Sequence, residues 1–504
     1  MRLPFTSLCL WATSVSCLHL PVTRRAVPRS YENAIRPRAK GTLGLDNLVN
    51  NLYFATLTVG GKDVPVQVDT GSSDIWLYNY ENSLLDSARV QNTINLTMSY
   101  GVGSVVGPIA QINMSLAGFT VANQSFLKVQ NYSDQVMIDD HLSAGILGLG
   151  FDALSHISNY VRGAYSDATW GRGIMANIFD ANPTVSKHIA FHLDRLYDND
   201  TVTGSFDIGT FAPGFEAVND TAPIPVFTVD SGRLGYWSVL LDAIEINGVN
   251  QTLKSTVTIG DTKPPTGKLS VMLDTGYSSP QIPEDIFHAL YSSMGGVLVQ
   301  DGTNMSYAVP CMAEGYFTFY IGNKPIPVHP LDLTTVETFN KGTNMTVCLS
   351  AFEPYSGAAG GGVLDLILGD AFLRNAYTVF NYGNLVNGFF SSPTGNPHVK
   401  ILPLTDPKAA SADFKKSRTL QLATLPPQVN ATTYNDAHPQ VAQAETNVTK
   451  QRPVSKSVVS AIAVLALVVV VIGVVSWLVM KNHSQKINWL QAKIKAIRGN
   501  YNRI

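Results

Sequence analysis

Between residues 46 and 404 apolar and polar positions alternate in short runs, such as Leu52 to Val59 (LYFATLTV) and Val64 to Val68 (VPVQV), separated by Gly, Asn, Asp or Pro about every ten residues. Period-two alternation closed by turn formers predicts strands, and only small patches such as Pro283 to Ser292 carry helical spacing, so the body is expected to be mainly β. Different patterns bound it. Leu3 to Leu18 follows Met1 and Arg2 as an apolar stretch broken by Ser and Thr, the form of a secretory signal over residues 1–18, and a basic leader with the dibasic pair Arg24–Arg25 spans 19–45. Residues 405–456 are rich in Ala, Thr, Ser, Pro, Gln and Asn, which predicts a stalk too weakly apolar to build a core. Val458 to Met480 is an almost unbroken apolar run of 23 residues, long enough as a helix to cross a hydrocarbon layer of ~30 Å.

That run predicts a transmembrane helix over 457–480. The tail 481–504 holds six basic residues and no acidic one, which places it in the cytosol. The reading is a single-pass type I membrane protein of the cell surface or of a secretory or vacuolar membrane, its body extracellular or lumenal. Eleven N-x-Ser/Thr sequons precede residue 450, as in a glycosylated body. Formal net charge over the 504 residues is −2, but residues 46–404 carry 15 basic against 32 acidic side chains, a net of −17. Nucleic acid is excluded as the body's partner, because phosphate binding needs a basic face. Cys311 and Cys348 are the only cysteines beyond residue 18. In an oxidising compartment they form one disulfide, and otherwise they are two buried thiols.

An internal echo carries the chemistry. Val68 to Trp76 reads VDTGSSDIW and Leu273 to Ser279 reads LDTGYSS, which sets Asp69 and Asp274 205 residues apart, each after an apolar strand. Each is followed by a second apolar strand ending in Gly: AGILGLG, with Gly148 79 residues after Asp69, and LILGD, with Gly369 95 residues after Asp274. Such a repeat implies two similar lobes about a pseudo-two-fold axis, each presenting one aspartate at a shared cleft. Two carboxyls within hydrogen-bond reach share one proton, one acting as base and the other as acid. Gly71 and Gly276 let the backbone bring amides to the carboxylates, and the hydroxyls of Thr70 and Thr275 fix the neighbouring strands.

These motifs resemble the pepsin family of aspartic endopeptidases over about residues 50–404, and the chain as a whole is similar to a membrane-anchored, fungal-type member. The resemblance implies a bilobal fold, with an N-terminal lobe over 46–225 and a C-terminal lobe over 226–404, that binds protein or peptide substrates in extended conformation and acts as a monomer without cofactor. Met98 to Gly107 (MSYGVGSVVG) looks like the family's flap, which implies that Tyr100, Gly101, Val102 and Gly103 meet substrate and that Tyr100 hydrogen-bonds toward Trp76. ILGDAFLRNAYTVFN is similar to the C-terminal block, Tyr236–Trp237 to the entry of the second lobe, and Cys311 and Cys348 fall where the family has a disulfide. Where the family has Ser or Thr after the second DTG, this chain has Tyr277; Ser72 is intact in the first loop, and Ser278 or a water is expected to support Asp274 in its place. The function implied is a membrane-tethered aspartic endopeptidase working at acidic pH. The alternative is a catalytically silent relative that keeps the cleft for peptide binding or cell-surface interaction.

Other chemistries have weaker signals. His188 and His192 lie in HIAFH, which alternates like a strand and lacks the Glu of a zinc-protease helix, so no metal is expected. Gly101, Gly103 and Gly107 precede no Lys-Ser/Thr, and no G-x-S-x-G elbow occurs.

Overall fold

The computed structural model describes residues 41–429 except 49, 51, 82, 102, 196–203, 302–303, 341–343, 356 and 358–360. The signal, nearly all of the leader, most of the stalk, the run at 458–480 and the basic tail lie outside the described residues, as does Val102. Among the described residues no helix is long and apolar enough to cross a membrane.

The body is mainly β, and the sequence echo is an echo of topology. Strand Lys62–Asp69 lies parallel to Gly145–Gly148 with Asp69 opposite Gly148, and strand Leu269–Leu273 lies parallel to Leu366–Leu368 with Leu273 opposite Leu368. Parallel strands sit inside a sheet and are covered on both faces, which suits VPVQV, LSVML and LIL. Every residue of Leu269–Leu273 and of Leu366–Leu368 is buried. The first strand pair belongs to a nine-stranded sheet and the second to an eight-stranded sheet, with a four-stranded sheet beside it in the C-terminal half.

A fourth, six-stranded sheet takes strands from both halves. Thr42–Gly44, Ser205–Ile208, His188–His192 and Ile224–Pro225 join Ala376–Asn381 and His398–Pro403, so the two lobes expected on either side of residue 225 share backbone hydrogen bonds. HIAFH is a strand, as its alternation predicts, and the rings of His188 and His192 lie against Phe211 and Phe215.

One hydrophobic core runs through both lobes. At its centre Trp237 packs against Phe151, Phe380 and Tyr382, with ring centroids 4.1, 5.2 and 5.0 Å away. Its indole N–H and the Tyr382 hydroxyl both donate to the carbonyl of Leu149, at 3.1 and 2.6 Å, while the Leu149 amide donates to the carbonyl of Asp69 at 2.7 Å. Aromatic packing between the lobes is thereby tied to the backbone of the first aspartate.

The stalk expected from residue 405 begins instead with a packed helix, Pro407–Ala423, in which Ala410, Phe414, Ser417 and Arg418 are buried. Asp406 caps it by accepting from the amides of Lys408 and Ala409, both at 2.9 Å. Arg418 reaches inward to Cys348 Sγ and the Thr334 carbonyl, each at 3.3 Å. Val429 then donates its amide to Thr346 at 2.9 Å, and the Pro427 carbonyl accepts from the amide of Thr346 at 3.0 Å. Residue 404 is therefore not the end of the folded body.

Candidate active site

Asp69 ends its strand and Asp274 directly follows its own, so the same strand-to-turn geometry delivers both. The two turns are stitched together by their threonines. The Thr70 amide donates to Thr275 Oγ1 at 3.1 Å and the Thr275 amide to Thr70 Oγ1 at 3.0 Å. The hydroxyls donate onward, Thr70 to the Leu273 carbonyl at 2.9 Å and Thr275 to the Val68 carbonyl at 3.1 Å. Four buried bonds between the lobes leave little freedom for the aspartates between them.

The carboxyls meet. The Gly71 amide is shared, donating to Asp69 Oδ1 at 2.8 Å and to Asp274 Oδ1 at 3.0 Å. Both glycines are required by space, since a Cβ on Gly71 would collide with the Asp274 carboxyl and one on Gly276 with that of Asp69. The side chains are only 6% and 5% exposed, so water screens their mutual repulsion poorly.

Support of the pair is asymmetric. Asp69 Oδ1 also accepts from the Ser72 amide at 3.1 Å, and Oδ2 accepts from the Ser72 hydroxyl at 2.5 Å. Asp274 accepts from the amides of Gly71 and Gly276, the latter at 2.8 Å, and position 277, the counterpart of Ser72, offers it no short hydroxyl. Tyr277, on its longer ring stem, packs with Tyr236 and Tyr355 against Met272, Leu364 and Ile367.

Acidities follow from these contacts. Burial raises Asp69 above the ordinary carboxylate value, while its bonds from Ser72 and Gly71 pull it back. Asp274 is raised further, by burial and then by the negative charge of Asp69. The shared proton therefore rests on Asp274, leaving Asp69 as the anionic member.

Over the pair, strands Arg89–Ser99 and Ser104–Leu116 form a hairpin whose turn is closed by the Tyr100 amide donating to the Gly103 carbonyl at 3.0 Å. Tyr100 lies edge-on to Trp76, centroids 6.5 Å apart at 61°. Burial raises the Tyr100 phenol well above its ordinary value, and hydrogen bonding with the side chains of Trp76, as expected, and of Ser72 opposes this. Tyr236, beside Tyr277, also lines a cavity of about 750 Å³ that runs past Leu234 and Val363 and is rimmed by Asp230, Arg233 and Asp261.

Cys311 and Cys348 are bonded, with Cα atoms 5.2 Å apart. They lie in the C-terminal lobe, where Cys348 also meets Arg418. Among the described residues no group of three or more His, Cys, Asp or Glu side chains is placed to hold a metal ion.

Sequence reasoning missed Asp370. It follows the LILG strand, is 1% exposed, and neither carboxyl oxygen has a hydrogen-bond partner. Burial raises its pKa well above the ordinary range, Arg374 opposes this, and the charges of Asp274 and Asp69 add to it. Its signal lay in the quoted motif, where the residue reads only as the end of a strand.

Similarity to known proteins points the same way. The family described as eukaryotic aspartyl protease matches residues 52–390. The major aspartyl peptidase 1 of Cryptococcus neoformans var. grubii is 24% identical over 406 residues, 75% of this chain and 76% of that protein. Vacuolar protease A of Aspergillus fumigatus is 25% identical over 70% of this chain and 82% of its own length, and cathepsin E of Cavia porcellus is 26% identical over 68% and 81%.

Proposed function

The chain belongs to the pepsin-like eukaryotic aspartyl protease family and is an aspartic endopeptidase; from that premise we propose that Asp69 and Asp274 are its catalytic pair and act on extended peptides under the Tyr100 flap. The observation that carries the assignment is the single Gly71 amide shared by both carboxyls.

Asp69, the anionic member, takes a proton from a water as its oxygen attacks the scissile carbonyl carbon. Asp274 gives its proton to the carbonyl oxygen, so a neutral tetrahedral diol forms without a free oxyanion. Collapse returns a proton to the amide nitrogen, the C–N bond breaks, and the pair regains its single shared proton.

Acidic operation is part of the proposal, because one proton must stay on the pair and the body's net charge of −17 favours low pH. So is a membrane tether through the run at 458–480, with a glycosylated body on the non-cytosolic side, supported by the basic tail and the sequon density. The test is the purified body incubated with a mixed peptide library from pH 3 to 7. Pepstatin-sensitive cleavage that falls at least ~1000-fold in Asp69→Asn and in Asp274→Asn is the expected result. Tyr277, standing where the first loop has Ser72, favours one other reading, a cleft that binds peptides without turnover. That reading gains if wild type and both variants bind alike and cleave nothing.

A further inference from the structure

Tyr277 stands at the floor of the cleft, three residues beyond Asp274, and three observations describe where its ring goes. It is half-buried and packed with Tyr236, Tyr355, Met272, Leu364 and Ile367. Its phenol is pushed up to about 12 by burial first, then by the charges of Glu353 and Asp274, so it remains a neutral, bulky group at any pH at which the enzyme works. Opposite it hangs the flap, where a methyl group placed on Gly101 would meet Tyr277 Cε2 at 3.7 Å, an ordinary van der Waals separation. Flap tip and ring thus stand about one methyl group apart beside Asp274. A short hydroxyl side chain at 277 would leave that space open; the ring fills it.

We propose that Tyr277 is a specificity-determining residue, restricting the substrate side chain seated between it and the flap tip to Gly, Ala or Ser. The inference rests on the endopeptidase reading and adds the substrate class. Confinement by a rigid ring rejects larger groups sterically, and discrimination by even a single methylene amounts to roughly 10- to 200-fold.

Two measurements test it. One is the cleavage profile of wild type and Tyr277→Thr with the peptide library. The other is calorimetric binding of non-cleavable reduced-amide peptides in which Ala is replaced by Leu one position at a time. Wild type should lose roughly 10- to 200-fold in both cleavage and affinity for Leu at one position. Tyr277→Thr should relieve the loss at that position alone. Tyr277→Phe should retain it, since the ring is kept, and Gly101→Ala should tighten it until Ala itself is disfavoured against Gly. The inference is overturned if no position separates wild type from Tyr277→Thr, or if Tyr277→Phe behaves like Tyr277→Thr. Gly101→Ala approaches the same gap from the other side, so the result survives poor folding of Tyr277→Thr. Discrimination in binding without turnover would sink the endopeptidase reading and leave this one standing, whereas turnover without discrimination would do the reverse.

Discussion

Ser72 and Tyr277 occupy the same step of the repeat and treat their aspartates differently, and that difference sets the protonation order of the pair. Removing the Ser72 hydroxyl withdraws a donor from the anionic form of Asp69 and raises its pKa further. A base that must be ionised is then protonated at higher pH, so the acid limb of the kcat/KM profile should move upward in Ser72→Ala, with activity at pH 3 to 4 about tenfold lower. An acid limb identical to wild type would show that the hydroxyl does not tune Asp69. The aspartates themselves were legible because each came twice, with matching strands before and after; a single DTG would not have sufficed. The direction taken by Tyr277 was not legible, since a ring's rotamer is chosen by neighbours such as Tyr236 and Tyr355 that lie 41 residues before it and 78 after it. Asp370 was hidden for a related reason, because partnerless burial is a property of surroundings and not of the residue.

Among the elements, the helix Pro407–Ala423 departs most from the sequence pattern. Its buried face holds Ala410, Phe414, Ser417 and Arg418, so a single large apolar side chain anchors it and a hydrophobic pattern is almost absent. The start signal was present, an Asp followed by Pro at the first helical position, but the surrounding Ala, Ser, Thr and Lys read as linker. Phe414 is fully buried, so Phe414→Ala should cost about 3–5 kcal/mol of unfolding free energy, measured by urea denaturation. A body ending at residue 404 should likewise melt below one ending at 429. Equal midpoints would mean that the helix rests on the lobe without stabilising it. The strands that lead to the two aspartates, by contrast, were readable from short apolar runs closed by turn residues. The six-stranded sheet was not, since nothing local tells Thr42–Gly44 to pair with Ser205–Ile208.

For the whole molecule, the buried acids set the direction in which pH acts. Asp152 is held at about 6 against an ordinary 3.8, burial outweighing the amides of Gly173 and Phe390 that donate to it. Asp69, Asp274, Asp370, Asp194, Glu337 and Glu353 are raised as well, each chiefly by burial. A carboxyl whose folded pKa lies above its unfolded one binds protons more tightly in the native state. Its contribution is complete below the unfolded value and is lost as pH rises through the folded value. For Asp152 that window runs from 3.8 to about 6 and corresponds to about 3 kcal/mol. Asp332 has the opposite sign: burial would raise it, but Arg195 and Arg374 hold it at about 2, so its contribution is complete above 3.8 and is lost as pH falls from there through about 2. Unfolding free energy of the body should therefore decline from pH 4 to pH 7. Urea titrations at four pH values check this, and a flat or rising trend would contradict it. The clasp between Val429 and Thr346 bears on mechanics. Tension applied from beyond residue 429 enters at the strand that carries Cys348, where a covalent link to Cys311 and the seated Arg418 receive it. The load is grounded in the C-terminal lobe, and the threonine stitching that aligns the two acids stays slack.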